Sequence, residues 1–434
     1  MDIKQDKTMK KTFLAACLLL LAAAAAPAQT FNVDELVGSN RDLAASGERA
    51  YDFDVPPMTP APDGYKPFYI SHYGRHGSRW CYSAAPYSRI QARLAEAKEK
   101  GLLTARGQEF HDQYMDFYLE PMINAGDLTE LGRWQNERIA EIMYRDFPEV
   151  FTNGNKVLAR ASDSPRSIIS MGSFCLGLQR HAPWLDITVR SLHTDMPFTS
   201  TRHSPRQIAK HYAGRPGLPG GETLEQFRVR KIDSESILSR LFTDTSFIGD
   251  ASAKAAFVMD LHDIWAGYHN YCDSDFMEDL FDRQARIDTW EVNNYISYTQ
   301  ASLNRFDHIV LLQEIEQLAD EAIAGTRDVC LDLRYGHDHV VSAFFPLLGL
   351  YGSDRTPDSA DEVKYWFQDY YTQMASNFQF ILYRSQDSER ILFKLLHNGV
   401  EIELRQLTPV TGPYYDWADF KAWCAKLYEE HPLV

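Results

Sequence analysis

The sequence predicts an α/β protein whose strand-and-helix core is interrupted by a mostly helical insertion. Three observations carry that prediction. Short apolar runs at Phe68-Tyr69-Ile70, Lys156 to Arg160 and Val329 to Arg334 each end in a polar junction marked by glycine or proline, ahead of a helical pattern. Between about Arg190 and Ala324 the strand-like runs disappear, and amphipathic stretches such as Ala253 to Tyr268 and Ile309 to Ala324 are joined by polar segments. Strands then return at Phe378 to Tyr383, Ile391 to Leu396 and Val400 to Leu404. The last two are joined by His397-Asn398-Gly399, whose Asn-Gly pair is a strong hairpin signal.

A chain of 434 residues can bury a large core as one big unit or two associated ones. Met9-Lys10-Lys11, the apolar run Phe13 to Ala26 and the cleavage signal Ala26-Pro27-Ala28 predict a secretory signal peptide ending at residue 28. That run is short of the roughly 20 residues a bilayer span needs, so no stable membrane span is expected. Leu14-Ala15-Ala16-Cys17 resembles a lipoprotein processing box. Most of the apolar run follows Cys17, however, which favours export to the periplasm, medium or cell surface over lipidation. The other cysteines, Cys81, Cys175, Cys272, Cys330 and Cys424, are odd in number, form no C-x-x-C pair and suggest no metal framework; one disulfide is allowed.

Residues 29–64 form a lead-in, in which Val55-Pro56-Pro57-Met58-Thr59-Pro60-Ala61-Pro62 excludes regular structure, and the segment is expected to wrap the surface. Ser88 to Lys100 places Ile90, Leu94 and Ala97 on one helical face, with Gly101 just beyond. A second helix, Gln108 to Met122, carries Phe110, Tyr114, Phe117 and Tyr118. Gly126 to Gly132 makes a turn in which Thr129 caps a third helix, with Leu131, Ile139 and Ile142 directed inward. Pro165 opens a helix after the second strand. Trp417 to Leu427 closes the chain as a helix. The expected division is signal peptide 1–28, lead-in 29–64, α/β core 65–190 and 325–434, and helical cap 191–324, whose aromatics Trp265, Tyr268, Tyr271, Trp290, Tyr295 and Tyr298 are read as core packing.

Formal charge is −16, and the first 28 residues carry four Lys against two Asp, leaving about −18 on the remainder. Such a chain lacks the positive field that nucleic acid requires, so an anionic small molecule must be met by a local cationic cluster. Ser71-His72-Tyr73-Gly74-Arg75-His76-Gly77-Ser78-Arg79 supplies one, with two histidines and two arginines in a glycine-flanked loop at a strand's end. Guanidinium forks suit phosphate oxygens, and a neutral imidazole between them is a competent nucleophile toward phosphorus. Arg166 falls in the first turn of the helix opened by Pro165, where free backbone N–H groups also favour an anion. The third strand runs into Tyr335-Gly336-His337-Asp338-His339. In open α/β sheets such junctions meet at the carboxyl edge, so three arginines and two histidines there define a site for a dianion.

Arg75-His76-Gly77 followed by Arg79 resembles the signature of the histidine phosphatase superfamily, and its surroundings are similar to the acid phosphatase and phytase branch. Gly126 to Gly132 and Met374-Ala375-Ser376-Asn377-Phe378 are similar to further segments of that branch; nothing in the cap is recognised residue by residue. The resemblance implies a three-layer, phosphoglycerate-mutase-like core with a mixed, mainly parallel sheet and a helical cap over its carboxyl edge. It implies a phosphomonoesterase with neither metal nor cofactor, in which His76 forms a phosphohistidine. Arg75, Arg79, Arg166 and His337 would hold the phosphoryl oxygens, and Asp338 would protonate the leaving alcohol, giving an acidic pH optimum.

Several features depart from the pattern or compete with it. Trp80-Cys81 follows Arg79 where the branch often has an aromatic or small residue and then Pro. The His337-Asp338 pair matches acid phosphatases and bacterial phytases, where multiple inositol polyphosphate phosphatases typically have His-Ala-Glu. His339 stands where small polar residues are usual and is a candidate substrate contact. His262-Asp263 lies inside a helical pattern and is read as structural. His72 and His76 have the spacing of a zinc pair only on a helix, which Gly74 and Gly77 oppose. Inositol hexakisphosphate is one candidate substrate, with Arg202, Arg206, Lys210, Arg228, Arg230 and Lys231 as candidate extra cations. A sugar-phosphate or broad acid phosphatase, a mutase, and a non-catalytic phosphate- or carbohydrate-binding protein on the same fold are the rival readings.

Overall fold

The computed structural model describes residues 32–201, 222–272 and 274–433. The predicted signal peptide, Cys17 and the candidate cations Arg202, Arg206 and Lys210 lie outside the described residues. The strands are β1 (Tyr65–Arg75), β2 (Lys156–Ala161), β3 (Asp186–Arg190), β4 (Val329–Gly336), β5 (Asn377–Ser385), β6 (Leu392–His397), β7 (Val400–Glu401) and β8 (Tyr415–Asp416). They form one 8-stranded sheet in the order β3-β2-β4-β1-β5-β6-β7, with β8 paired to β6. The first four strands run parallel, and β5 runs antiparallel between β1 and β6, which turns β6 back to the direction of β1.

The helices of ten or more residues are α1 (Ala84–Glu99), α2 (Ala105–Phe117), α3 (Glu130–Asp146), α4 (Pro165–His181), α5 (Ala251–Gly267), α6 (Arg283–Asn304), α7 (Ile309–Ala324), α8 (Asp338–Leu347) and α9 (Trp417–Glu430). Period-2 alternation makes the sheet the middle of three layers. Tyr69 and Tyr73 of β1, with Phe378, Phe380 and Leu382 of β5, enter a core shared with α7, α8 and α9, while Ile70, Ile381 and Tyr383 enter one shared with α3 and α4. A one-residue slip of β1 would exchange these two sets, so the register is held from both faces. The first core continues into the cap, where Trp265, Tyr268, Trp290, Tyr295 and Tyr298 are buried.

Most predicted elements occur within a few residues of their expected limits, and several differ. The lead-in, expected to wrap the surface, begins with two short helices, Val33–Ser39 and Arg41–Ala44, that bury Val33, Val37 and Leu43 in the first core. The second predicted helix breaks at Tyr118 into α2 and a short helix, Leu119–Ile123. β7 is shorter than expected. Strand β3, not predicted, is a short edge strand in which Ile187 packs against the second core while Val189 is exposed. Helix α3 buries Gln135 and Asn136 with Ile139 and Met143, leaving Leu131 and Ile142 only half-buried. Asn398 and Gly399 take the positive φ values, 51° and 79°, that the predicted hairpin turn requires. Cys81, Cys175, Cys272, Cys330 and Cys424 are all free thiols.

Candidate active site

Strand register brings the site together. Arg75 of β1 lies beside Gly336 of β4, and Ala161 of β2 beside Tyr335, so three strands end level at one carboxyl edge. From there the chain enters the loop after His76, the cap of α4 and the start of α8. Two glycines permit the close packing. A Cβ at Gly336 would lie 1.8 Å from the Thr199 carbonyl oxygen and 2.1 Å from Tyr73 Oη. A Cβ at Gly77 would lie 2.4 Å from the Gly132 carbonyl oxygen, so the loop sits directly on α3. The polar residues buried on α3 explain themselves here: Gln135 Oε1 accepts the Ser78 N–H at 2.8 Å, and its Nε2 donates to Ser78 Oγ at 2.9 Å.

His76 is 2 % exposed. Its Nδ1 lies 2.9 Å from the Gly77 carbonyl oxygen, which can only accept, so Nδ1 carries the proton and Nε2 keeps the lone pair. Burial lowers its pKa first, and Arg75, Arg79, Arg166 and His337 lower it further, to well below the ordinary histidine value. These surroundings favour the neutral ring, the form in which Nε2 carries a lone pair.

Three predicted arginines surround it. Arg75 is 1 % exposed and donates through Nη1 to the carbonyls of Gly47 and Thr372, while its Nη2 faces Asp338 Oδ2 at 3.4 Å. Arg79, 4 % exposed, donates through Nη2 to Glu48 Oε1 at 2.5 Å and through Nη1 to the Trp80 carbonyl at 3.0 Å. Arg166 stands in the first turn of α4, with its Nε buried and no acceptor in contact among the described residues. Burial, then Arg79, lower its pKa. The neighbouring Arg160 and Arg334 do not join this group, because both are paired with Glu314.

His337 caps α8, hydrogen-bonds through Nε2 to Ser162 Oγ at 3.0 Å and lies 5.8 Å from the His76 ring, centroid to centroid. Asp338 is the first residue of α8. Its Oδ1 accepts the His339 N–H at 2.8 Å, and its side chain is 51 % exposed. Desolvation pushes the Asp338 carboxyl up, but Arg75, then His339, His76 and His337, outweigh it and hold the group well below the usual carboxylate range. His339 stacks on His337 at 5.5 Å and donates from Nε2 to the Ser200 carbonyl at 3.1 Å.

These side chains line a cavity of about 760 Å³. Tyr82, Asp163 and Ser164 from the junctions and Gln300, Asn304 and His308 from beyond the core complete its wall. Of the candidate extra cations, Arg230 is paired with Glu222 and Asp361, Lys231 is paired with Glu291 and Asp361, and neither they nor Arg228 line the cavity. His72 is buried against Phe174 and Tyr335, and among the described residues no three His, Cys, Asp or Glu side chains form a metal-binding group. His262 is buried beside Trp265 and Phe281. Asp263, by contrast, interacts electrostatically with Glu48 and Arg79.

No protein-family profile matches the chain, and no curated protein matches it. Solved structures do match. The Bifidobacterium longum multiple inositol polyphosphate phosphatase in complex with inositol hexasulfate gives a TM-score of 0.70 at 17 % identity, over 89 % of this chain and 98 % of that one. The same enzyme in complex with phosphate gives 0.71 at 16 % identity, over 88 % and 97 %. The phytase from D. castellii gives 0.67 at 14 % identity, over 94 % and 89 %. The chain has the fold of these phosphatases, an α/β core with a mixed sheet and helical additions.

Proposed function

We propose that the chain is an exported acid phosphomonoesterase acting through a phosphohistidine at His76. One observation carries the reading: an imidazole whose Nδ1 is bonded to a backbone carbonyl, leaving Nε2 its lone pair, set among Arg75, Arg79 and Arg166 in a cavity that Asp338 also lines. In the first step Nε2 attacks phosphorus in line, the P–O bond to the alcohol breaks, and Asp338 gives that oxygen its proton. Water then attacks the phosphohistidine, Asp338 takes a proton from it, and phosphate and free His76 result. The arginines and His337 stabilise charge on the three equatorial oxygens throughout.

Asp338 is ionised beside Arg75, yet the first step needs it protonated. Substrate supplies the shift. A phosphoryl group about 4 Å away opposes the carboxylate by about 4 kcal/mol per unit charge at an effective dielectric of about 20. It also engages the guanidinium that holds the carboxylate low. Turnover is accordingly expected to rise as pH falls from 7 toward 4.

Inositol phosphates are the substrate class we favour, supported by the shared fold and by the cavity volume. A second reading has its own support: among the described residues, Tyr82, Asp163, Ser164, Gln300, Asn304, His308 and His339 add no Lys or Arg to the single clamp, which suits a sugar monophosphate. We also infer that residues 1–28 are removed on export, that 65–190 and 325–434 form the catalytic core after the lead-in 29–64, and that the cap 191–324 selects substrate. Phosphate release from p-nitrophenyl phosphate, glucose 1-phosphate and phytate at pH 4 to 7 tests the activity and separates the substrates. No turnover of any of the three overturns it. Acid-quench trapping tests the nucleophile, which must be reassigned if labelled phosphohistidine persists in His76→Ala.

A further inference from the structure

The lead-in reaches the clamp at one turn, Ser46–Glu48, where Ser46 adopts a φ of 57°. That turn is stitched to parts of the chain far from it in sequence. The Gly47 carbonyl accepts from Arg75 Nη1, the Glu48 carbonyl accepts from Asn270 Nδ2 of the cap at 2.7 Å, and the Arg49 carbonyl accepts the Met374 N–H at 2.9 Å. Asn270 Oδ1 in turn accepts from Ser78 Oγ at 2.7 Å, tying the same corner to the loop that carries His76. The backbone of Glu48 is thus held from three sides.

Its carboxylate lies 2.5 Å from Arg79 Nη2 and 3.7 Å from Arg75 Nη2. The two arginines depend on it unequally. Arg75 is also held by two backbone carbonyls and by Asp338. For Arg79, Glu48 is the carboxylate in direct contact among the described residues, beside the Trp80 carbonyl and the Tyr82 ring at 5.4 Å. A buried guanidinium that loses its carboxylate is an uncompensated charge, free to turn toward any other acceptor. Each Nη makes one of these bonds and keeps a second N–H, so the orientation that Glu48 imposes decides which of them Arg79, a residue of the cavity wall, turns toward an incoming phosphoryl oxygen.

We propose that Glu48 is a positioning residue for the phosphate clamp. It fixes the plane of Arg79, and so which donor that arginine presents, and it offsets one of the positive charges crowded around His76. This inference rests on the phosphatase reading for its consequence in turnover.

Two substitutions separate orientation from charge. Glu48→Gln keeps an oxygen acceptor for Arg79 Nη2 and removes the charge; Glu48→Ala removes both. Comparing the two variants therefore holds charge constant and isolates orientation. The measurements are kcat and KM for p-nitrophenyl phosphate, calorimetric affinity for inorganic phosphate, and the unfolding midpoint. We expect Glu48→Gln to bind phosphate at least as tightly as the parent, and to exceed Glu48→Ala by about 10- to 100-fold in kcat/KM and by about tenfold in phosphate affinity. The two variants lying within about twofold of each other in both quantities overturns the proposal, as does Glu48→Gln binding phosphate several-fold more weakly than the parent with an unchanged midpoint. If the parent hydrolyses no monoester, the phosphatase reading fails by itself, and phosphate affinity alone still decides the role of Glu48.

Discussion

The dipeptide His-Asp stands at the carboxyl edge of β4, as His337-Asp338, and in the middle of cap helix α5, as His262-Asp263. Backbone position makes them opposites. At the edge, the pair opens a helix, so both side chains reach the cavity, and Asp338 is held low by Arg75 and its histidine neighbours. Within α5, successive side chains point about 100° apart. His262 therefore turns inward between Trp265 and Phe281, while Asp263 stays exposed beside other carboxylates. Loss of solvent around it, then Glu48 and Asp260, push Asp263 up to about 7, although its surface remains open. The same two residues thus meet different surroundings: at the sheet edge both face the cavity and its cations, and within the helix one enters the core while the other stays at the surface.

Activity should break the symmetry most strongly. His76→Ala should reduce hydrolysis to background, and Asp338→Asn should lower kcat by about 10²- to 10⁴-fold, while Asp263→Asn stays within about threefold of the parent. Leaving group sharpens the test. p-Nitrophenolate departs with little help from an acid, whereas the alcohol of an alkyl phosphate needs its proton, so the loss in Asp338→Asn should be larger on an alkyl phosphate that the parent hydrolyses. Equal losses on both substrates would remove Asp338 from the role of acid.

The same contrast accounts for what could be read in the sequence. Arg75, His76, Arg79, Arg166, His337 and Asp338 were legible because each lies within a few residues of a strand end, where local pattern and chemistry coincide. Parallel pairing then brings them together without further instruction. Glu48 was not legible: it lies in a three-residue turn that carries no motif, and its role depends on that turn being stitched to residues 270 and 374. Gln135 and Asn136 were hidden for another reason. They occupy the inward face of α3, where Gln135 hydrogen-bonds Ser78 of the loop and Asn136 Oδ1 accepts from Tyr335 Oη of β4, so hydrophobic periodicity pointed to Leu131 and Ile142 instead. Gln300, Asn304 and His308 reach the cavity wall from the far end of the insertion, where no local signal marks them.

Stability against pH tests a second aspect of the comparison, the fate of a histidine buried away from the edge. Burial pushes His72, His262 and His397 each down to about 3. In the unfolded chain they take a proton near 6.5, so between those values the unfolded state binds protons that the folded state refuses. Stability must therefore fall as pH falls, with each group contributing up to about 1.4 kcal/mol per pH unit. The unfolding midpoint should drop between pH 6 and pH 4, and His72→Leu should flatten the slope by about one proton. A midpoint that holds steady over that range would show that these rings accept protons in the folded state.

The smallest effect separates the two aspartates themselves. Asp338 is held below its unfolded value, so its ionised form contributes stability that is present above about pH 4 and lost as pH falls further. Asp263 is held above its unfolded value: between about 4 and about 7 the unfolded chain ionises it while the folded state resists, so its contribution worsens as pH rises through that window. Asp338→Asn should accordingly lower the midpoint at pH 7, with the deficit shrinking in acid, and Asp263→Asn should raise it at pH 7 while leaving it near the parent value at pH 4. Both side chains are open to water, which screens the charges and keeps each shift to about 1 kcal/mol or less. Measuring each variant against the parent at the same pH cancels the histidine background. Two shifts of the same sign at pH 7 would mean that both carboxylates experience one common field, and the distinction between the sheet edge and the cap helix would fail at the charges where it is drawn.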